Sequence, residues 1–113
     1  MMFNQGDILL VPLPFTDLSS QKRRPVIVLS NREYNDLADD LIVAAVTSVI
    51  DQKPNTILLS NYDMIDGVLK VESCIRADKI YTLSQILVIK RFGKVRSEII
   101  SKVKERLLAL LED

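Results

Sequence analysis

The stretch with the most chemical promise is KRRPVIVLSN, Lys22 to Asn31, where the densest positive charge runs into a proline and then an apolar run. Arg24 directly precedes Pro25. Proline fixes its own φ and holds the residue before it extended, so the Arg24 side chain leaves from a defined place. Arginine stays charged and offers a planar fork of donors suited to phosphate. A run such as Lys22, Arg23 and Arg24 ordinarily solvates a loop; Arg24 stands apart because it lies at a strand boundary. Thr47 and Ser48 are the polar pair near the end of LIVAAVTSVI, and on a strand their hydroxyls point to opposite faces. Threonine is also an ordinary strand residue whose hydroxyl can serve the backbone. Arg76 and Asp78 in CIRADKI are two apart, share a face of an extended chain, and suit a structural ion pair.

Other chemistries are narrowed by what the sequence lacks. There is no histidine, which removes the usual acid/base side chain near neutral pH. With one cysteine besides, a structural zinc site has no ligand set, and an intrachain disulfide is impossible. Cys74 reads as a small buried hydrophobe. No glycine-rich phosphate loop, paired-carboxylate motif or serine elbow occurs. Chemistry must rest on Arg, Lys, Asp, Glu, Ser, Thr or Tyr. Phe15, Phe92, Tyr34, Tyr62 and Tyr81 default to packing, though one or two could stack on bases. Basic and acidic residues balance at 15 each, which argues against a generic nucleic-acid coat but leaves room for a local basic site. Neither a signal peptide nor an apolar run of about 18 residues is seen, so a soluble, cytoplasmic protein is expected.

The elements that must hold these residues follow from patterning. The 113 residues fit one domain, expected over 1–113. Strands are predicted at Ile8–Leu13, Pro25–Ser30, Leu41–Ile50, Thr56–Ser60, Val68–Ile75 running on towards RADKIYTL, and Ile86–Phe92, the last stopped by Gly93. Thr16–Lys22 is polar and turn-rich, hence an exposed loop. Asn31 suits the N-cap of a short helical turn, and NYDMIDG reads as a turn or single helical turn that Gly67 ends. In SEIISKVKERLLALLED, Ile99, Ile100, Val103, Leu107, Leu110 and Leu111 recur at helical spacing from about Ser97 to Leu111, with Ser97 as N-cap and Glu98 in the first turn. The result is a mostly β fold, a small antiparallel barrel or curled sheet closed by a C-terminal helix.

Taken together, GDILLVPLPFTD, KRRPVIVLSN, IVAAVTS, CIRADKIYTL and the final amphipathic helix resemble the MazF/PemK family of toxin ribonucleases over nearly the whole chain. That resemblance implies an SH3-like barrel, as in MazF and CcdB, and a homodimer. It implies metal-independent, sequence-specific cleavage of single-stranded RNA, with no cofactor, through attack of the 2′-hydroxyl. The products would be a 2′,3′-cyclic phosphate and a 5′-hydroxyl, and the expected partner is a cognate antitoxin. It maps the catalytic pair onto Arg24 and Thr47. RNA contacts would come from Thr16, Ser19, Ser20, Gln21, Lys22 and Arg23 in and beside the first loop, and from Ser48 and Arg76. Some plasmid-borne relatives carry an arginine and an aspartate at the positions of Val71 and Ser73, and a histidine in the first loop. This chain has neither, so activity rests on the Arg24/Thr47 arrangement. The alternatives are a CcdB-like toxin that binds gyrase and a degenerate RNA-binding module. The nuclease reading requires Arg24 and Thr47 to converge.

Overall fold

The computed structural model describes residues 2–14, 21–50 and 53–113. Strands β1 (Asp7–Pro14) and β2 (Gln21–Val28) are followed by the short helix α1 (Arg32–Leu37), then β3 (Asp40–Thr47), β4 (Thr56–Leu59) and β5 (Met64–Gly67). The long β6 (Ser73–Ser84), β7 (Lys90–Val95) and helix α2 (Ser97–Leu111) complete the chain. The seven strands among the described residues form one sheet in the order β4-β6-β3-β2-β1-β7-β5, with antiparallel pairing between neighbours. No described helix is long and apolar enough to cross a membrane.

The central strands are apolar on both faces because both faces are covered. Ile8, Ile27, Ala44 and Val46 enter one core with Ile57, Ile75, Val95 and the helix residues Ile99 and Val103. Their alternating neighbours Leu9, Val11, Val26, Val28, Leu41 and Val43 enter a second core with Phe3 and Leu83. A strand buried on two sides reads as a continuous apolar run, which is what PVIVL and LIVAAV display. The second core is pinned at one end by buried Asn35, whose amide donates to the carbonyls of Phe3 and Ser30.

Several boundaries differ from expectation. Strand β2 begins at Gln21, four residues before Pro25, so Arg24 sits inside the strand paired with Val11. The segment 68–72 does not pair; β6 begins at Ser73. Within NYDMIDG, Asn61–Asp63 form a single 3-10 turn as expected, but Met64–Gly67 is a strand, concealed in the sequence because only Met64 is buried. Residues 85–87 form a 3-10 turn, and β7 runs through Gly93. Asn31 caps α1 as expected, its side chain accepting from the Tyr34 N–H at 2.9 Å. For α2 the N-cap is Arg96, with Ser97 the first helical residue. The stripe of α2 covers β4 and β6 only in its first half; Leu110 and Leu111 are exposed.

Gly93 is a crossing point. Gly67 lies opposite Gly93, and a Cβ on Gly67 would meet the Phe92 carbonyl oxygen at 2.0 Å. Gly67 also has φ +80°, a region costly for other residues. We predict that Gly67→Ala costs at least about 1–3 kcal/mol from backbone strain alone, read as a lowered urea midpoint. Loss of less than that would mean the two strands separate freely.

Strand β6 departs from β3 at one place. Ala44 pairs with Ile80 and Ala45 with Arg76, leaving Ala77, Asp78 and Lys79 bulged out. Arg76 clasps this bulge by donating from Nε to Asp78 Oδ1 at 3.1 Å and from Nη2 to Oδ2 at 2.9 Å. These bonds hold the Asp78 carboxyl below the usual carboxylate range. A depressed carboxyl stabilises the fold above its unfolded pKa of about 3.9, and the contribution is lost as pH falls through the lower folded value. With its side chain 32% exposed, Asp78 should contribute under about 1 kcal/mol. Urea melts near pH 6 and pH 3 should show Asp78→Asn closing the gap to wild type at about the lower pH.

Candidate functional site

Arg24 and Thr47 are brought to the same place by strand register. Val28 pairs with Val43, Ile27 with Ala44 and Val26 with Ala45. The ladder ends there; two residues beyond it, the same register carries Arg24 and Thr47 to the same end of the β2–β3 pair. The two line a single cleft of about 450 Å³, together with Pro25, Val46, Ser48, residues 68–71 and Ser73, and with Lys90, Arg91 and Phe92 from β7. Arg24 is exposed and Thr47 half-buried, so both are reachable from solvent.

The hydroxyl oxygen of Thr47 is held by the backbone. The Val49 N–H donates to Thr47 Oγ1 at 3.2 Å, which uses a lone pair and leaves the hydroxyl proton available to donate. The turn behind it is held by the Cys74 thiol, which donates to the Val49 carbonyl at 3.5 Å, while Cys74 pairs with Thr47 across the ladder.

All ionisable side chains lining the cleft, among the described residues, are cations: Arg24, Lys70, Lys90 and Arg91. Arg91 is committed to protein carboxylates. Its Nη2 donates to Asp66 Oδ2 at 2.7 Å and its Nε lies 3.2 Å from Oδ1 of buried Asp7. The hydrogen bond to Asp66, then the charge of Asp7, raise the Arg91 pKa further above its ordinary value. Lys90 Nζ sits 5.3 Å from the Phe92 ring centroid, within cation–π range. Among the described residues no three His, Cys, Asp or Glu side chains gather as a metal site would need. A larger groove of about 560 Å³ beside the start of α2 mixes Lys94, Arg96 and Lys104 with Glu98 and contains neither Arg24 nor Thr47.

The family profile of the PemK-like, MazF-like toxin of type II toxin-antitoxin systems matches residues 4–111. The chain belongs to the PemK/MazF toxin family. Comparison with curated proteins gave no match. Among solved structures, MazE-MazF from Deinococcus radiodurans is similar at 20% identity with a TM-score of 0.81, covering 98% of this chain and 96% of that one. An endoribonuclease from a mycobacterial species, in complex with its cognate antitoxin, is similar at 18% identity with a TM-score of 0.79, covering 96% and 94%. The Mycobacterium tuberculosis toxin MazF-mt6 gives 17% identity and a TM-score of 0.76, covering 95% and 98%. These likenesses establish the MazF-like barrel with its C-terminal helix.

Against that fold, the residues anticipated from sequence divide into four groups. Arg24, Thr47 and Ser48 share the cleft. Lys22 and Arg23 are exposed on β2, and Gln21 opens that strand. Arg76 does not line the cleft; it holds Asp78 at the β6 bulge. Thr16, Ser19 and Ser20 lie outside the described residues. Sequence reasoning missed Lys70 and Lys90 as parts of the site, and named Phe92 only as one of five aromatics of which one or two could stack on bases. The charge cluster Lys90, Arg91, Lys94 and Arg96 was the available signal, but nothing local places it beside Arg24.

Proposed function

We propose that this PemK/MazF-family toxin is a metal-independent endoribonuclease that cuts single-stranded RNA, with Arg24 and Thr47 as its catalytic residues. The observation that carries the reading is their convergence on one cation-lined cleft. The 2′-hydroxyl of the substrate gives up its proton to solvent and attacks the adjacent phosphorus, the new O2′–P bond forms, the P–O5′ bond breaks, and the leaving O5′ takes a proton from solvent. The products are a 2′,3′-cyclic phosphate and a 5′-hydroxyl. RNA supplies its own nucleophile, so the enzyme needs no activated serine or cysteine. Its task is to align the backbone and stabilise charge on the pentavalent phosphate. Arg24 brings a permanent cation with several donors, and Thr47 brings a hydroxyl that can donate. Ser48, Lys22 and Arg23 flank them as RNA contacts, with Thr16, Ser19, Ser20, Gln21 and Arg76 as further candidates.

The protein acts in the cytoplasm as a homodimer and is held inactive by an antitoxin. An acidic antitoxin segment would be received by the same cations that receive RNA. The single domain spans 1–113. The test is incubation of antitoxin-free protein with a long single-stranded RNA in EDTA, with end chemistry read out. Cyclic-phosphate ends are expected. No cleavage by the folded protein would overturn the assignment.

A further inference from the structure

One wall of the cleft is not built for phosphate. Val68 and Val71 are large, apolar and more than half exposed, at 63% and 60%. They stand in the unpaired segment between β5 and β6, facing the same cleft as Phe92. Phe92 has an unusual position in its strand. Ile8 pairs with Gly93 and Leu9 with Arg91, so Phe92 is the extra residue of a β-bulge. A bulge re-aims a side chain and recurs beside active sites. Its ring is partly buried against the first core and opens onto the cleft. Lys90 and Lys70 flank this apolar wall, and no described carboxylate lines the cleft.

An apolar surface with an aromatic ring, ringed by cations and beside a phosphate-directed pair, matches the two halves of a nucleotide. We infer that Phe92, Val68 and Val71 form the subsite for the base next to the scissile phosphate, and that Lys90 and Lys70 hold the flanking backbone. Phe92 is therefore a specificity-determining residue. The inference rests on the nuclease reading and adds to it the part of the substrate that this wall recognises. The ring is sequence-tolerant by itself, since every base has a π-face. Discrimination comes from the shape that the Phe92 ring and the Val68 and Val71 side chains give the wall together. The volume of about 450 Å³ lies at the small end of ligand pockets, suited to one splayed base and its phosphate and too small for a duplex.

The experiment maps all 5′-hydroxyl ends produced from a long single-stranded RNA by wild type, Phe92→Leu and Val71→Ser. Leucine keeps the apolar contact with the core, and Val71 is exposed, so both proteins fold. Phe92→Leu is expected to lower cleavage at the wild-type preferred sites by about tenfold, in the range of a lost base stack. Both variants should flatten the preference at one nucleotide position beside the cut while leaving the other positions alone. An unchanged cut-site pattern, or a uniform loss at every site, overturns the base subsite and leaves the nuclease assignment standing. Absence of cleavage by wild type overturns both.

Discussion

Arg24→Ala will lower RNA cleavage by at least about a hundredfold, and Thr47→Ala by about 10²–10³, the usual cost of losing one preorganised donor at a developing charge. Arg24 should show the larger loss, because its charge goes with its hydrogen bonds. The fold should survive in both variants. Arg24 is exposed, and substitutions on the surface usually change stability by less than about 0.5 kcal/mol. Thr47 gives the backbone one bond, from the exposed Val49 N–H. Two conservative variants separate the roles. Thr47→Ser keeps a hydroxyl and should recover most of the rate. Arg24→Lys keeps the charge but loses the planar fork, and should recover only part. Single-turnover cleavage rates on a defined RNA decide the matter. Equal rates for Arg24→Ala and wild type would exclude Arg24 from the chemistry.

The largest effect on stability is expected at Arg91. The Asp7 side chain is 1% exposed, with the Asn4 N–H donating to Oδ2 at 2.8 Å and Arg91 Nε as the cation at Oδ1. Arg91→Ala would leave that carboxylate buried without its counter-charge, a change that costs about 3–5 kcal/mol in comparable cases. Arg91 is itself partly solvated, which favours the lower end of that range. A fall in Tm of more than about 10 °C follows for a domain of this size. Combining Arg91→Ala with Asp7→Asn should cost clearly less than the sum of the two single changes, because the charge has gone with its partner. Additive losses in thermal melts would show that Asp7 does not depend on Arg91.

How much of this was readable in advance depends on the range of the interaction. The N-cap at Asn31, the helix from Ser97 and the Arg76–Asp78 pair are local, set by residues within a few positions of each other. All three are visible in the sequence, apart from the one-residue shift of the α2 cap. The strand character of β2 and β3 is visible too, because burial on two faces leaves an unbroken apolar run. Arg24 was visible as a candidate from its place before Pro25, but its pairing with Thr47 came from resemblance, since nothing in the spacing joins the two. Phe92 was not legible as part of a cleft. Its exposure depends on a bulge against Ile8 and Leu9, which lie at the other end of the chain. The β5 strand was missed for a related reason. Its position is fixed by the close contact of Gly67 with β7, and glycine gives no hydrophobic period to detect. The apolar stripe of α2 predicted more burial than exists, because periodicity describes which face is apolar and not how far the sheet extends beneath it.

The pairing of β1 with β7 has a kinetic consequence. Asp7 meets Lys94, so the first strand waits for the last before the sheet can close. Contacts this distant in sequence carry loop-closure entropy before any of their burial is gained, which slows folding. Arg24 and Thr47 can meet as soon as β2 and β3 pair, but Lys90 and Phe92 arrive only with the final third of the chain. During synthesis the half-cleft holding Arg24 and Thr47 therefore exists without its opposite wall. A chain still on the ribosome lacks the surface that would select a sequence, and that surface is completed only when the two ends have found each other.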